Sequence, residues 1–370
     1  MKIGIICYPT YGGSGVVATE LGMALATRGH EIHFFASSRP FRLTGYRPNV
    51  FFHAVPVVHY ALFEHTPYTL SLASSLFEDI ASHGLDVIHA HYAIPHAVAA
   101  YLARQMGGGK PPIVTTLHGT DITLVGSHPA YAPIVKFTID QSDRVTAVSR
   151  SLAEETRERI GVTCDIRVIP NFVCGNTYQR KTEGFDRTTL APKGEPIILH
   201  ISNFRPVKRI GDIIETFIKV RRRTPCRLVL VGDGPERVRA EQDAREAGVI
   251  EDVVFLGTQT AIIELFSAAN VYFLPSETES FGLSALEAMA CEVPVVGTRA
   301  GGLPEVVEDE ETGCLVEVGD TDAMAECILR VITDPKLNVE MGRAARERAL
   351  TLFPEKKVVT QYEDLYKEIA

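Results

Sequence analysis

No stretch of the sequence approaches the roughly 20 consecutive apolar residues that a membrane-spanning helix requires, and basic residues are not in excess. The chain has 37 Lys and Arg residues against 46 Asp and Glu residues, for a net charge of −9. This charge argues against a nucleic-acid-binding surface and against docking on anionic lipid. The seven cysteines are scattered and include no C-x-x-C pair, a pattern typical of reduced thiols. These absences favour a cytoplasmic protein with small-molecule partners.

No secretion signal is expected at the start of the sequence. The apolar run Ile3–Cys7 is too short for one and predicts a buried strand instead. The 370 residues are 45% hydrophobic, with a mean hydropathy of +0.06, which is typical of a globular protein. This length favours two domains. The oligomeric state does not follow from the sequence, and a homo-oligomer stays open.

In the first half of the chain, strands rich in Val and Ile alternate with helices, which predicts a parallel, doubly wound sheet. The predicted strands are Ile3–Cys7, Glu31–Ala36, Asp86–Ala90, Ile113–Leu117, Arg144–Val148 and Ile166–Ile169. Residues 39–67 are expected to be irregular. Ligands of such sheets bind at the carboxyl ends of the strands. Those ends carry Gly12–Gly15, His91-Tyr92 and His118–Asp121, so we expect a ligand there.

The first of these strand ends is a glycine-rich turn that does not match the G-x-G-x-x-G fingerprint of dinucleotide-binding folds. No acidic residue ends the following strand, so a dinucleotide cofactor is not predicted. Gly12, Gly13 and Gly15 allow the backbone to approach a ligand closely at a helix N-terminus, where an anion is favoured. A tight turn without a ligand is the alternative, and this loop alone leaves both readings open.

Two further patterns superficially suggest a metal ion. His89, His91 and His96 lie close in sequence, but a His-x-His pair on one strand supplies at most two ligands, so polar groups lining a pocket are the better interpretation. Asp320-Thr-Asp322 resembles a metal-binding D-x-D sequence. It directly precedes a predicted helix, so we interpret Asp320 as the N-cap. No metal site is predicted.

A polar stretch, Gly175–Pro196, is predicted to connect this domain to a second series of strands and helices. The predicted strands there are Ile197–Ile201, Arg227–Val231, Val253–Leu256, Val271–Leu274, Val293–Gly297 and Cys314–Val316. Arg205 and Lys208 follow the first of them, near the start of a helix whose dipole disfavours positive charge. A bound diphosphate would resolve this conflict, and two solvated cations are the alternative.

The most informative stretch is 276–307, where a strand ends in a polar turn and Gly282 opens a short helix. Glu279 lies in the turn and Glu287 in the helix. The backbone N–H groups between them, from Ser280 to Leu283, suit a phosphate. Carboxylates only accept hydrogen bonds and therefore suit hydroxyl groups. The arrangement favours a nucleotide-sugar, which has a diphosphate between two polyols, whereas two merely solvated glutamates are the alternative.

Together these features resemble glycosyltransferase family four, whose members are retaining enzymes with two Rossmann-like domains facing a cleft, the GT-B fold. The resemblance covers the chain end to end and is most specific at Glu279-x7-Glu287. Four strings are most similar to family members that transfer N-acetylglucosamine from UDP-N-acetylglucosamine (UDP-GlcNAc) to L-malate in bacillithiol biosynthesis. They are C-Y-P-T-Y-G-G-S-G-V-V-A-T-E-L-G, H-A-H-Y-A-I-P-H-A, T-T-L-H-G-T-D-I-T-L-V-G and S-N-F-R-P-V-K-R. Related members that use inositol phosphate as the acceptor share this architecture.

The resemblance implies that residues 1–174, with a helix at 354–370 that crosses back, bind the acceptor, and that residues 175–353 bind the nucleotide-sugar. Glu287 would hold the ribose of UDP, and Glu279 the hydroxyls of the sugar. Many family members carry Arg where this chain has Asn203, so Arg205 would take that phosphate-binding role. The apolar residues of the last segment recur at helical spacing, which predicts an apolar stripe that buries Tyr362 and Leu365.

The remaining site residues are implied by the same resemblance. The catalytic set would be His118, Arg205, Lys208 and Glu279. The donor-binding set would be Gly15, Asn203, Gly232, Gly257, Thr258, Gln259, Ser280, Phe281, Gly282, Leu283 and Glu287. The acceptor-binding set would be Gly13, Ser14, Tyr92, Thr120 and Lys136.

No metal cofactor is expected, because Arg205 and Lys208 would stabilise the negative charge that develops on the leaving phosphate. Retention would follow from attack on the same face of the sugar, with a leaving-phosphate oxygen taking the acceptor's proton. A glutamate nucleophile, as in retaining glycosidases, is the competing mechanism. Two other classes of protein stay open: a nucleotide-sugar epimerase, which needs no acceptor, and a non-catalytic sugar-binding protein, which needs neither the glutamate pair nor the two cations.

Overall fold

The computed structural model describes residues 1–10, 12–57, 65–123, 125–181 and 186–370. Parts of the predicted irregular stretch 39–67 and of the predicted connection 175–196 therefore lie outside the described residues, as does Tyr11. The chain forms two compact units. Unit 1 comprises Met1–Asn171 and Glu355–Ala370, and unit 2 comprises Phe172–Pro354.

Unit 1 contains a parallel sheet whose described strands run in the order β3-β2-β1-β4-β5-β6-β7. The strands are β1 Lys2–Ile6, β2 Glu31–Ala36, β3 Val50–Ala54, β4 Val87–His91, β5 Ile113–Leu117, β6 Arg144–Ala147 and β7 Ile166–Val168. The helices are α1 Gly13–Thr27, α2 Tyr68–His83, α3 Val98–Met106, α4 Thr120–Thr123, α5 Ala132–Asp140, α6 Arg150–Ile160 and α14 Glu355–Lys367, with a π-helical turn Ala93–Ala97 before α3. The predicted doubly wound α/β architecture is confirmed.

The strand β3 corrects the expectation that residues 39–67 are irregular. Val50–Ala54 pairs in parallel with β2 and forms one edge of the sheet. Its residues are half-buried or exposed, without the continuous buried run of β4 and β5. An edge strand has a neighbour on one side only, so its sequence carries a weaker hydrophobic pattern than an interior parallel strand.

Unit 2 contains a second parallel sheet, whose described strands run in the order β10-β9-β8-β11-β12-β13. The strands are β8 Ile197–Ile201, β9 Arg227–Val231, β10 Val253–Gly257, β11 Val271–Leu274, β12 Val295–Thr298 and β13 Gly313–Val316. The helices are α7 Ile210–Arg221, α8 Arg237–Glu246, α9 Ile262–Ala268, α10 Leu283–Ala290, α11 Leu303–Val306, α12 Thr321–Thr333 and α13 Pro335–Leu352, with 3₁₀ turns at Arg187–Thr189, Pro206–Lys208 and Ile250–Asp252.

The stretch Gly175–Pro196, expected as a connection, is part of unit 2 where it is described. Tyr178 is 3% exposed, and the guanidinium of Arg187 donates to the carbonyl of Ala268 and to the side chain of Asn270. These contacts hold a polar segment against the second sheet, and the chain passes between the units after Asn171. The polar composition of Gly175–Pro196 is typical of a surface segment, and the sequence alone does not distinguish such a segment from a linker.

The helix α14 returns to unit 1, as expected. Tyr362 is 1% exposed and Leu365 is fully buried, which confirms the apolar stripe predicted for this helix. The Tyr366 hydroxyl lies 2.7 Å from Nδ1 of His89 on β4, so the last helix contributes both apolar and polar contacts to the first domain. None of the described helices is long and apolar enough to cross a membrane.

Candidate active site

Each sheet has one point at which the strand order reverses direction, and both predicted binding loops lie at these points. In unit 1 the reversal falls between β1 and β4, and in unit 2 between β8 and β11. Loops that leave neighbouring strands in opposite directions open a crevice at the carboxyl edge, the usual ligand site of such sheets. Gly12–Gly15 follows β1 and Tyr92 follows β4; Asn203–Lys208 follows β8 and Ser276–Gly282 follows β11.

In unit 2 an ion pair joins the two loops at the reversal point. Nζ of Lys208 lies 2.6 Å from Oε2 of Glu279, and the side chains are 20% and 15% exposed. The backbone N–H of Glu277 also donates to the carbonyl of Val207, at 2.8 Å. A partly buried cation and carboxylate therefore lie side by side where the sequence predicts the diphosphate and the sugar.

Two glycines that the predicted site did not include support the Glu279 loop. A Cβ at Gly301 would lie 2.2 Å from the carbonyl oxygen of Glu279, and this residue has a φ of 57°. The N–H of Gly302 donates to the same carbonyl, at 2.6 Å. Gly301 therefore allows the close approach that fixes the backbone of Glu279. The Ala-Gly-Gly sequence after β12 is the signal that could have indicated this role.

The N-terminus of α10 lies where the sequence predicts it. Gly282 is its N-cap with a φ of 94°, and the helix runs from Leu283 to Ala290. Phe281 is buried, and the Ser284 hydroxyl accepts from the Tyr272 hydroxyl, at 2.7 Å. The first-turn amides of an α-helix have no partner within the helix, so Leu283 and its neighbours supply donors beside Glu279.

The carboxylate of Glu287 is 6% exposed and accepts a hydrogen bond of 2.6 Å from the Tyr178 hydroxyl. Sequence reasoning missed Tyr178, because it lies 109 residues earlier in a segment interpreted as a connection. The hydroxyl orients one carboxylate oxygen of Glu287. A buried, oriented carboxylate suits the paired hydroxyls of a ribose better than a solvated one.

The other donor-site candidates lie on neighbouring loops of unit 2. Asn203 and Arg205 are exposed, and the buried Phe204 between them has a φ of 40°. A Cβ at Gly232 would lie 1.7 Å from the carbonyl oxygen of Ser202, and its N–H donates to Gly257 at 2.8 Å. Thr258 is exposed, and the Gln259 amide donates to the carbonyl of Leu256, at 2.7 Å. The loops after β8, β9 and β10 therefore lie side by side at the carboxyl edge.

In unit 1 the helix α1 begins within the glycine-rich turn. Gly12 is its N-cap, so Gly13, Ser14 and Gly15 form its first turn. A Cβ at Gly15 would lie 2.5 Å from the carbonyl oxygen of Tyr8, so only glycine allows this approach. Gly13 is exposed and Ser14 half-buried. The loop thus presents first-turn backbone amides at the sheet edge.

Aromatic and imidazole rings adjoin this loop. The Tyr8 ring contacts Tyr92 and His96, with centroid distances of 5.3 and 4.5 Å. Tyr92 has a φ of 98°, a strained conformation for a residue other than glycine, and its ring lies 5.3 Å from that of His118. Nε2 of His118 lies 2.9 Å from Nδ1 of His91. Burial lowers the pKa of His118 to about 3, so this imidazole is neutral at pH 7.

Sequence reasoning also missed the contribution of Asp121, although it named His118–Asp121 as a strand end. The carboxylate of Asp121 is 1% exposed and accepts from the backbone N–H groups of Ala93, His118 and Gly119, at 3.0, 3.2 and 2.9 Å. Burial raises its pKa to about 6, and these hydrogen bonds oppose that rise. Asp121 thereby joins the ends of β4 and β5 and fixes the backbone of His118. Thr120 lies in the same turn, at the start of α4.

The structure does not bring Lys136 to this edge. Its ammonium contacts Asp140 on α5 at 2.7 Å and the carbonyl of Gly161 at 2.6 Å. Gly161 ends α6 and precedes β7, so it lies near the amino edge of the sheet, opposite the predicted acceptor site. Lys136 instead binds the carbonyl end of a helix, where a cation is favourable.

Residues of both sequence patterns that suggested a metal make other contacts. The two ring nitrogens of His89 lie 2.7 Å from the Tyr366 hydroxyl and 2.6 Å from the Thr116 hydroxyl, so neither is available. Nδ1 of His96 contacts the carbonyl of His91, at 2.5 Å. Asp320 accepts from the N–H of Ala323, at 2.9 Å, which confirms its N-cap role.

The family models match both halves of the chain. Residues 11–174 match "Glycosyltransferase Family 4", and residues 182–348 match "Glycosyl transferases group 1". The chain is 47% identical to the N-acetyl-alpha-D-glucosaminyl L-malate synthase of Bacillus anthracis, over 100% of this chain and 97% of the relative. It is 29% identical to a D-inositol 3-phosphate glycosyltransferase of Saccharomonospora viridis, over 76% of this chain and 70% of the relative.

The fold is also that of a solved structure. The Anabaena protein HepE in complex with UDP-glucose superposes with a TM-score of 0.84 at 21% identity, over 100% of both chains. At this identity the likeness shows the fold alone. The full-length relative and the two family models carry the assignment. The chain therefore belongs to glycosyltransferase family four.

Proposed function

We propose that this enzyme transfers N-acetylglucosamine from UDP-GlcNAc to the hydroxyl of L-malate with retention of configuration, the first step of bacillithiol biosynthesis. The observation that carries the proposal is the 47% identity to the L-malate synthase over the whole chain. The ion pair Lys208–Glu279 and the buried Glu287 of unit 2 support the donor half of the reaction. From the odd number of scattered cysteines, we place the enzyme in a reducing compartment such as the cytoplasm.

The donor-binding residues divide the nucleotide-sugar among them. Glu287 accepts hydrogen bonds from the ribose hydroxyls, and Tyr178 holds its carboxylate in place. Lys208 and Arg205 neutralise the diphosphate, together with the first-turn amides of α10. In the free enzyme Lys208 contacts Glu279. When the donor binds, the ammonium turns to the phosphate and the carboxylate accepts from the hydroxyls of the hexose.

The acceptor-binding residues belong to unit 1. The first turn of α1 binds a carboxylate of malate through the backbone amides of Gly13 and Ser14. The Tyr92 and Thr120 hydroxyls bind its other polar groups. His118 contributes a hydrogen bond and not a general base, because a base with a pKa of about 3 accepts a proton poorly at neutral pH.

The transfer depends on stabilising the negative charge of the leaving group more than on a general base. Breaking the bond between the sugar C1 and the phosphate oxygen leaves negative charge on UDP, which Arg205 and Lys208 stabilise without a metal ion. Malate attacks on the face that UDP leaves, and an oxygen of the leaving phosphate takes the hydroxyl proton. Glu279 is less suited to act as a nucleophile, because its match to the family motif assigns its carboxylate to the hydroxyls of the hexose.

An assay of acceptor-dependent UDP release tests this function and its metal independence together. With UDP-GlcNAc and excess EDTA present, we expect L-malate to accelerate UDP release strongly. Succinate lacks the attacking hydroxyl and D-malate presents it from another direction, so both should act weakly. Greater activity with inositol phosphate would overturn the assignment of L-malate as the acceptor. Formation of a new sugar epimer without acceptor would indicate an epimerase. Activity only after adding Mg²⁺ or Mn²⁺ would refute metal independence.

A second prediction separates the roles of the two glutamates. Glu287→Ala should weaken UDP binding, because charge-assisted hydrogen bonds to ribose contribute about 1.5–3 kcal/mol each. Glu279→Ala should lower turnover while UDP affinity changes little, because UDP has no hexose and Lys208 stays in place. Calorimetric titration of both variants with UDP, beside kcat with the full donor, gives the comparison. Equal losses of UDP affinity would show that this division of roles is wrong.

A further inference from the structure

A cluster of titratable side chains lies in unit 1 apart from the carboxyl edge of the sheet. His33 on β2, His53 on β3 and Asp79 on α2 each offer a ligand atom, and these atoms lie within 4.8 Å of one another. His53 is paired in register with Phe35, two residues after His33, so both imidazoles lie on one face of the sheet. His83, one helical turn after Asp79, contacts the other oxygen of that carboxylate, at 2.9 Å.

Hydrogen bonding alone does not satisfy this cluster unless one imidazole is charged. Nδ1 of His33 lies 2.9 Å from Nε2 of His53, and Nδ1 of His53 lies 3.1 Å from Oδ2 of Asp79. Nε2 of His33 lies 3.0 Å from Oε1 of Glu31. Because both carboxylates only accept, Nε2 of His33 must donate to Glu31 and Nδ1 of His53 must donate to Asp79. With both imidazoles neutral, the contact between Nδ1 of His33 and Nε2 of His53 joins two lone pairs, which a cation would convert into ligand bonds.

The donor set is that of a transition-metal site. Two imidazoles and a carboxylate suit Zn²⁺ and its neighbours in the first transition row. In a tetrahedral zinc site with bonds of 2.0–2.1 Å, two nitrogen ligands lie about 3.3 Å apart. The 2.9 Å between Nδ1 of His33 and Nε2 of His53 is shorter than this separation. Asp79 lies at the other nitrogen of His53, at 3.1 Å, so it joins the same ion when the His53 ring turns.

The groups around the three ligands have the arrangement of an outer shell. Ligating histidines commonly donate their second nitrogen to a carboxylate, and ligating carboxylates are themselves hydrogen-bonded. Glu31 stands at the second nitrogen of His33, and His83 at the second oxygen of Asp79. The His33 side chain is 1% exposed, whereas the His53 side chain is 22% exposed. The protein therefore encloses the site at His33, and solvent reaches it at His53.

We propose that His33, His53 and Asp79 bind a divalent transition ion of the zinc class, with water as the fourth ligand. This ion is separate from the transfer chemistry, because its ligands lie on the face of the sheet beside α2 and not in the loops after the strands. It joins the edge strand β3 to β2 and α2. The site therefore acts as a structural clamp on the outermost strand of the first sheet.

The test is a calorimetric titration of the full-length protein with Zn²⁺ after EDTA treatment and desalting. We expect one equivalent to bind. Asp79→Asn and His53→Gln should each weaken binding by about tenfold or more, at or above the loss seen when outer-shell groups are removed. The matched control is His128→Asn, an exposed histidine outside the cluster, which should bind like the wild type. Absence of saturable binding, or unchanged binding in both cluster variants, would refute the site.

Two measurements on the wild-type protein keep the test decisive if the variants do not fold. Bound Co²⁺ should show visible d–d bands without a thiolate charge-transfer band, because the cluster contains no cysteine. A thiolate band would place the ion on cysteines and overturn the proposal. Zn²⁺ should also slow amide hydrogen exchange in Val50–Ala54, the strand that the clamp holds, and unchanged exchange there would contradict the clamp.

Discussion

Replacing Lys208 by methionine is expected to lower kcat about 10²–10³-fold, the usual effect of removing one preorganised group that stabilises developing negative charge. The ammonium lies at the reversal point of the second sheet, 2.6 Å from Glu279 and mostly shielded from water. Methionine keeps the length and apolar character of the stem but removes the charge. The phosphate would then leave with one cation fewer to stabilise it, and Glu279 would lose its partner.

Three comparisons make this prediction specific. Lys208→Arg keeps the charge and should recover part of kcat. Lys219→Met removes a paired lysine on α7, whose ammonium lies 2.6 Å from Asp322, and should leave kcat unchanged. Melting temperatures of all three variants separate loss of catalysis from loss of folding. A Lys208→Met enzyme within about threefold of the wild-type kcat would fall far short of the expected loss and contradict the proposed role.

Truncation after Phe353 is expected to leave unit 1 unable to fold and the protein aggregated or inactive. The removed helix α14 buries Val358, Val359, Tyr362, Leu365 and Tyr366, each at most 1% exposed. Burying one such side chain contributes about 1.5–3 kcal/mol, so the loss rivals the 5–15 kcal/mol that typically separates folded from unfolded domains. The truncation would also expose apolar core and remove the Tyr366 hydroxyl that contacts Nδ1 of His89.

Size-exclusion chromatography and circular dichroism of the truncated protein measure this effect. A control truncation after Lys367 removes only the last residues, including Glu368, whose surface ion pairs with Arg144 and Arg167 contribute about 0–1 kcal/mol each. That protein should be monodisperse and active. Leu365→Ala, a cavity substitution that typically costs 2–5 kcal/mol, gives a milder test within the full chain. A soluble and fully active protein truncated after Phe353 would refute the role of the helix.

Most of the fold could be predicted from the sequence, because its signals are local. Interior parallel strands such as Ile113–Leu117 and Arg227–Val231 are short apolar runs bounded by polar turns, and the structure has them at the predicted residues. Residues at the ends of such strands share an edge of the sheet, so Gly12–Gly15, Lys208 and Glu279 could be named as candidates before their contacts were known. The apolar stripe of the last helix similarly predicted the burial of Tyr362.

Only the tertiary structure decided which distant side chains meet. Strand register and helix packing bring Tyr178 to Glu287 and His33 to Asp79, and no local pattern records either pair. The same packing turned Lys136 towards the end of a helix, although its sequence position allowed a place in the acceptor site. Hydrophobic periodicity is set by neighbouring residues and can be read along the chain. Side-chain contacts between elements depend on the three-dimensional arrangement of the whole unit, so they follow from the fold and not from the local sequence.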